Sequence, residues 1–172
     1  MRRNQLFGLA LAALVLGLAG TPASAQGNRG KSEMKAGSGS ITVDYGRPAL
    51  KGRDMLSQLA VGSFWRMGAN QATVLTTPVG LTFGTTKVAA GSYSLWLKRT
   101  AEDKYELWFN SQTGQWGTSH DQSKDVAGVP MKMSPLSNPV ETFTIELKPS
   151  ANGGTFLLQW GKSELTSDFT LQ

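Results

Sequence analysis

The residues best suited to chemistry in this chain are arginines that lie in two short phrases. The first phrase covers residues 45–53 (YGRPALKGR) and the second covers residues 65–70 (WRMGAN). An arginine guanidinium is planar and donates two parallel hydrogen bonds, which suits a carboxylate, phosphate or sulfate group. We therefore predict a site for an anionic or carbohydrate ligand, formed by Arg47, Arg66, Asn70 and the neighbouring aromatics Trp65 and Trp116.

These arginines also have a purely structural interpretation. Arg47 and Arg66 would then pair with nearby carboxylates and tie loops to one end of the domain, the available partners being Asp44, Asp54 and Glu141. Arg53 has the same two options. A guanidinium aimed at a ligand and one paired with an aspartate look identical in sequence, so both interpretations remain open at this stage.

The sequence gives weaker evidence for catalysis than for ligand binding. His120 is the only histidine and stands between Ser119 and Asp121. Neighbours in one loop do not assemble a catalytic triad, because its side chains meet from separate segments, so we predict that His120 is solvated. Paired carboxylates for glycoside cleavage remain an option, since three of them could converge from different strands: Asp44, Glu141 and Glu146. The catalytic residues, if there are any, are unknown from the sequence.

Composition narrows the chemistry further. The chain has no cysteine, so disulfides, thiol catalysis and zinc–thiolate sites are excluded. No carboxylate spacing matches a calcium loop, and we predict neither a metal nor a cofactor. Without Arg2 and Arg3, the 17 basic residues become 15 against 12 acidic ones, a net charge of +3. That charge is too small to indicate a nucleic-acid partner.

The amino terminus reads as an export signal. Arg2 and Arg3 precede a nearly continuous apolar run from Leu6 to Gly20, and the small residues of 23–25 (ASA) follow. The run is shorter than the roughly 20 residues that a transmembrane helix needs. We predict cleavage after residue 25 and a periplasmic or secreted protein with no stable membrane insertion, the alternative being a retained anchor. The oligomeric state is not predictable from the sequence.

The remaining chain reads as a flexible leader followed by one β-rich domain. Residues 26–40 are rich in Gly, Ser, Asn and Lys, which is typical of a flexible linker. From residue 41 to 172 apolar and polar residues alternate in short runs bounded by turn residues. We predict an all-β domain, an antiparallel β-sandwich or jelly-roll-like fold of eight to nine strands. Residues 55–61 are the one place where a short helix is plausible.

The alternation also predicts which aromatic side chains face the core. Trp160 is in phase with Phe156 and Leu158, so it should be buried. Trp96 and Trp108 have the opposite phase and should lie on the outer surface or in a second packed layer. If their strands pair, the two indoles lie side by side as a stacking platform or a cross-strand pair. Trp65 and Trp116 stand beside glycines in predicted loops, which makes them the better ligand candidates.

Several phrases together resemble domain-of-unknown-function family 2911, an exported bacterial family. The opening and central phrases described above carry the resemblance, along with residues 91–95 (GSYSL), 115–117 (QWG) and 158–161 (LQWG). The family commonly has a glutamate after the asparagine of the central phrase, whereas this chain has Gln71. The resemblance implies an exported β-rich domain over the mature chain, and it implies no assigned activity.

These observations favour a domain that binds a small anionic or carbohydrate ligand. Two alternatives remain open: a hydrolase acting on an envelope glycan or ester, and a purely structural or protein-interaction domain. A carboxylate beside the arginines in a concave pocket would favour the hydrolase. Arginines fully paired within loops would favour the structural role.

Overall fold

The computed structural model describes residues 28–172, and the proposed signal segment lies outside this range. Ten strands and one short 3-10 helix, Gln122–Lys124, make up the regular structure of these residues. The strands are β1 (Arg29–Ala36), β2 (Gly39–Gly46), β3 (Phe64–Trp65), β4 (Thr73–Thr77), β5 (Leu81–Phe83), β6 (Thr86–Val88), β7 (Gly91–Ala101), β8 (Lys104–Asn110), β9 (Asp125–Ser150) and β10 (Gly153–Leu171). None of the described residues forms a helix with the length and hydropathy needed to cross a bilayer.

All ten strands belong to one antiparallel sheet. Its order is β1-β2-β4-β7-β8-β9-β10-β5-β6, and β3 pairs with β7 beside β4. The long strand β9 pairs with β8 in its first part and with β10 from Lys132 onward. The second part of β9 then packs against β1, where the Leu147 amide donates to Ser32 Oγ at 2.9 Å. The sheet is thereby folded over a single core, which confirms the prediction of an all-β sandwich-like fold.

The core follows the period-two pattern of the sequence. Ile41, Val43 and Tyr45 alternate along β2 and are buried, and Leu95 and Leu97 do the same on β7. Their neighbours on each strand point to the other face, because successive side chains of a strand alternate. The pairing register of the strands is therefore set by the need to keep the apolar face of each strand in the core. Phe156, Leu158 and Trp160 are also buried, as their phase predicts.

The prediction of a flexible leader over residues 26–40 is wrong for its described part. Arg29–Ala36 form strand β1, which pairs with the whole of β2 from Arg29 opposite Gly46 to Ala36 opposite Gly39. Only Met34 and Ala36 of this strand are buried. A strand at the edge of a sheet is often polar and charged, and its pairing runs through backbone groups. The composition of this segment is therefore that of a linker, although its backbone forms a strand.

Residues 55–61 do not form the helix considered from the sequence but a series of turns. Arg99 of β7 holds these turns, because its Nη1 donates to the carbonyls of Ser57 and Leu59 at 2.8 and 2.9 Å. Those carbonyls are among the groups that a continuing helix would bond internally. Leu56 is buried, as the sequence pattern suggests. The turns therefore attach to the core through this side chain, although they do not form a helix.

Candidate functional site

The opening and central phrases of the sequence meet through their glycines. A Cβ added to Gly46 would lie 2.6 Å from the Ala69 nitrogen, and one added to Gly68 would lie 2.8 Å from the Gly46 oxygen. Such distances leave no room for a side chain, so the end of β2 and the loop after β3 pack backbone against backbone. This contact orients the loop that carries Arg66.

The phrase at residues 115–117 completes the other side of the same loop. The Gly117 amide donates to the Asn70 carbonyl at 2.8 Å, and Gln71 forms an isolated β-bridge with Trp116. Gln115 Nε2 also donates to the buried Ser94 Oγ at 2.9 Å. Four of the phrases that carry the resemblance therefore lie in one continuous part of the fold.

A cavity of about 460 Å³ opens between this loop, β7 and the chain that follows Gly117. We call it the Arg66 cavity; its lining combines apolar and aromatic side chains with a guanidinium, an imidazole and the hydroxyl of Thr118. The lining residues are Met55, Phe64, Trp65, Arg66, Trp96, Gly117, Thr118 and His120. Two of the five predicted ligand residues, Trp65 and Arg66, thus belong to the same cavity.

Arg66 is held in the cavity wall by its stem and by one of its three nitrogens. Nε donates to the Gly68 carbonyl at 3.2 Å, and the Cδ carbon passes so close to Gly117 that a Cβ there would collide with it. Within residues 28–172 no acceptor bonds the two terminal nitrogens and no carboxylate pairs with the guanidinium. The charged end of Arg66 is therefore available to an anion.

His120 is not solvated, contrary to the prediction. Its ring stacks on Trp96, with centroids 4.1 Å apart and planes 10° from parallel, and meets the Phe64 ring edge-on at 4.5 Å. Nε2 lies 2.8 Å from Asp125 Oδ1, and only 10% of the histidine side chain is exposed. The predicted loop histidine is thus fixed on three sides and presents part of its ring to the cavity.

Asp125 is in turn fixed from behind. Asn110 Nδ2 donates to the same Oδ1 at 2.8 Å and also to the Asp121 carbonyl at 2.8 Å. Asp121 accepts hydrogen bonds from the hydroxyl and then the amide of Ser123, and these bonds lower its pKa. The network joins the end of β8 to the beginning of β9 and places two nitrogens, Asn110 Nδ2 and His120 Nε2, against one oxygen of Asp125.

The outward-facing tryptophans form the base of this layer. Trp96 and Trp108 are directly opposite one another in the β7–β8 register, as the hairpin hypothesis requires. Trp96 is buried, with its Nε1 donating to Ser94 Oγ at 3.0 Å. Phe64 stands edge-on to Trp108, and Lys98 Nζ lies 5.1 Å from the Phe64 centroid. The pair therefore belongs to a second packed layer, not to an open stacking platform.

Trp65 differs from the loop position predicted for it. It lies in β3 opposite Leu97 and stacks on Trp160 at 5.2 Å with planes 14° apart. Phe143 contacts both indoles edge-on. Trp65 therefore anchors the cavity wall to the core while it lines the cavity.

The other predicted ligand residues lie outside the cavity lining. Arg47 extends beneath β1, where its Cδ lies against Gly30, and its buried Nε has no partner among residues 28–172. Asn70 is exposed, with φ at 64°, and contributes its carbonyl to Gly117. Trp116 is 53% exposed beside the cavity loop. The structure thus separates Arg47 from Arg66.

The carboxylates considered from the sequence each have a local partner. Asp44 pairs with Arg29, the Lys51 amide donates to Glu141 Oε1 at 3.0 Å, and Glu146 lies near Lys148. None of the three lines the Arg66 cavity. In the described part of the chain, no three acidic or histidine side chains are grouped closely enough to hold a metal ion.

Sequence reasoning missed Asp125, Trp96 and His120 as parts of this site. One signal pointed toward them, because two outward-facing tryptophans on paired strands need an apolar cover. The loop after Gly117 and β3 were the nearest segments able to provide it. No short sequence pattern indicated that His120 would be one of the side chains that cover these tryptophans.

Comparison with known proteins bears on the whole described domain. No curated protein matches the chain, and no solved structure matches it. A family model does match, over residues 28–169, and its description is "Protein of unknown function (DUF2911)". The match begins where β1 begins and ends within β10, so it covers both the sheet and the Arg66 cavity. The chain therefore belongs to the DUF2911 family.

Proposed function

We propose that this protein is an exported domain that binds a small anionic or carbohydrate ligand in the Arg66 cavity. The observation that carries the proposal is the state of Arg66. Its Nε is bonded locally to Gly68, the residue lines the cavity, and its terminal nitrogens have no carboxylate partner among the described residues. A positioned guanidinium of this kind is a typical receptor for a carboxylate or phosphate group.

The structural alternative for Arg66 has less support. The carboxylates proposed as its partners are engaged elsewhere, Asp44 with Arg29 and Glu141 with the Lys51 amide, while Asp54 Oδ1 accepts from the Ser57 amide at 3.2 Å. Arg66 thus ties its loop by one hydrogen bond from its charged guanidinium to a neutral carbonyl. Such a bond contributes at most about 1.5–3 kcal/mol to stability, less than the roughly 3–5 kcal/mol lost when one partner of a buried ion pair is removed.

The cavity is also suited in size and lining to a small molecule. Ligand sites are usually concave, mostly apolar and provided with a few polar groups. The Arg66 cavity has walls formed by aromatic side chains and Met55, with a guanidinium, an imidazole and the Thr118 hydroxyl as its polar groups. Its walls are rigidly held, because Trp65 stacks on Trp160 and His120 stacks on Trp96. A preformed site of this kind loses little conformational entropy on binding.

Export is the second part of the proposal, and it depends on residues outside the described range. The signal-like segment before residue 26 supports a periplasmic or secreted location. A binding domain in that compartment would meet small acids and envelope glycans. The ligand and the location are therefore compatible with each other.

The proposal is tested by removing the charge of Arg66 while keeping its stem. Arg66→Met preserves the carbon chain over Gly117, and Arg53→Met is the matched control, because Arg53 also donates Nε to a local carbonyl, that of Leu50, but lies outside the cavity. Calorimetric titrations with galacturonate, inorganic phosphate and acetate measure binding. We expect Arg66→Met to weaken binding by about tenfold or more, since a charged hydrogen bond is worth roughly 1.5–3 kcal/mol.

Thermal melts of the same variants separate binding from folding. Both variants should melt within a few degrees of the wild type. A strongly destabilised Arg66→Met variant, together with a wild type that binds none of the three probes, would refute the binding proposal. The structural role would then be the better interpretation.

A further inference from the structure

We infer that the ligand carries a hydroxyl group beside its anionic group, and that this hydroxyl hydrogen-bonds to Nδ1 of His120. The ligand class is therefore a hydroxylated carboxylate of the size of an acidic sugar. This inference rests on the proposed function, because it takes Arg66 as the partner of the anionic group. Its new element is the part assigned to His120 and its supporting residues.

The imidazole of His120 has a fixed orientation. The ring lies flat on Trp96 and edge-on to Phe64, and Nε2 is bonded to Asp125 Oδ1 at 2.8 Å. Asp125 is itself held by Asn110 Nδ2 at the same distance, and its side chain is 7% exposed. Because the ring contacts and the hydrogen bond at Nε2 act together, the imidazole cannot rotate to redirect Nδ1. A ligand therefore binds to an imidazole whose orientation is already set.

The hydrogen-bond partners of Asp125 decide which His120 nitrogen carries the proton. An ionised carboxylate is an acceptor only, and Asp125 Oδ1 accepts from Asn110 as well. The hydrogen shared between His120 and Asp125 must then be on Nε2. In the neutral ring the other nitrogen, Nδ1, is left as a hydrogen-bond acceptor. A carboxylate or phosphate has no hydrogen to give it, whereas a hydroxyl does.

Nδ1 of His120 remains available. Among residues 28–172 no group hydrogen-bonds to it, and the His120 ring lines the cavity. A hydroxyl suits this position in either protonation state, since it donates to the neutral ring and accepts from the protonated one. A simple anion suits only the protonated ring. The hydroxyl is therefore the group that matches His120 in both states.

The polar and apolar parts of the cavity lining match one kind of ligand. Arg66, Thr118 and His120 provide the polar side chains of the cavity lining, and the other side chains that line it are apolar or aromatic: Met55, Phe64, Trp65 and Trp96. An acidic sugar has a carboxylate for Arg66, a hydroxyl for His120 and an apolar ring face for the aromatic side chains. One such molecule therefore matches all three parts of the lining. A neutral sugar leaves Arg66 unpaired, and a simple carboxylate leaves Nδ1 unpaired.

The test compares matched probes on the wild-type protein. Galacturonate has a ring, a carboxylate and hydroxyls; cyclohexanecarboxylate keeps the ring and the carboxylate, and galactose keeps the ring and the hydroxyls. We expect galacturonate to bind about tenfold or more tightly than either of the others, in line with the loss of a satisfied polar partner. A galacturonate trimer added to the series distinguishes a free sugar from the end of a glycan chain.

The single histidine allows a second readout that requires no variant. Nitrogen-15 NMR at mildly alkaline pH reports the tautomer of His120, and we expect the proton on Nε2. Galacturonate should shift the Nδ1 resonance, and cyclohexanecarboxylate should leave it in place. A proton on Nδ1 in the free protein would overturn the inference regardless of any binding result.

The outcomes separate this inference from the proposal on which it rests. If cyclohexanecarboxylate binds as tightly as galacturonate and Arg66→Met abolishes both, the anion site stands and the role of His120 is refuted. If galactose binds as tightly as galacturonate, the charge of Arg66 adds nothing to affinity; the inference of a hydroxylated carboxylate is then refuted, while the proposal of a small anionic or carbohydrate ligand stands for a neutral carbohydrate. Failure of every probe to bind refutes both statements. His120→Gln should reduce galacturonate binding, because glutamine lacks the imidazole Nδ1 acceptor that the hydroxyl uses.

Discussion

Replacement of Trp160 by alanine is expected to lower the free energy of unfolding by about 3–5 kcal/mol, the range for deletion of a large buried aromatic side chain. Trp160 is 4% exposed. It stacks on Trp65 at 5.2 Å and meets Phe143 edge-on at 5.6 Å. Each such pair contributes about 0.5–1.5 kcal/mol beyond area burial, so the upper half of the range is expected.

The lost hydrogen bond adds little to this figure. Trp160 Nε1 donates to the Glu141 carbonyl at 3.3 Å, which is long, and the Leu50 amide donates to the same carbonyl at 2.8 Å. The carbonyl therefore keeps a partner when the indole is removed. Trp160→Phe, which deletes the hydrogen bond but keeps an aromatic ring, should accordingly destabilise the protein much less than Trp160→Ala.

Urea unfolding followed by circular dichroism measures these differences, with Trp116→Ala as the control. Trp116 is 53% exposed, and a surface substitution usually changes stability by less than about 0.5 kcal/mol. A loss below about 1 kcal/mol for Trp160→Ala, or an equal loss for Trp116→Ala, would refute the assignment of Trp160 to the core. The slope of the unfolding free energy against urea concentration should be the same for all variants if only their stability differs.

Three further predictions concern other parts of the molecule. Gly46→Ala should lower the melting temperature, because its Cβ would lie 2.6 Å from the Ala69 nitrogen and overpacking of this kind costs about 1–3 kcal/mol; unchanged melting would contradict the close backbone contact. Burial raises the pKa of Tyr105, whose hydroxyl donates to the Leu56 carbonyl at 3.1 Å, so the folded state keeps its proton above the unfolded pKa of 10.0. Stability should therefore fall as the pH rises above that value, and Tyr105→Phe should remove this part of the pH dependence in alkaline denaturant melts. Mass measurement of exported material should show a mature protein that begins at Gln26, and an intact amino terminus in the membrane fraction would indicate an anchor instead.

Much of the sheet was predictable because strand signals are local. Alternation of apolar and polar residues assigns Ile41, Val43 and Tyr45 to one face and places Trp160 in the core, and the structure confirms both. The sequence places Trp96 beside Trp108 only on the condition that their two strands pair, and the β7–β8 register shows that pairing. Strand β1 was not predicted, although its burial alternates, because only Met34 and Ala36 give its inward face apolar side chains and the rest of the segment has the polar composition of a linker.

The candidate site depended on contacts between distant segments. The sequence alone identified Arg66 and Trp65 as candidates, since their residue types and their phrase are visible locally. It could not show that Arg47 would lie beneath β1, away from Arg66, or that Asp125 would hold His120 against Trp96. These positions follow from the folding of one sheet over itself, which brings β3, β7 and the chain after Gly117 together. Residue types and strand phase are properties of short segments, whereas a cavity and the partners of a charged side chain exist only once the segments have packed.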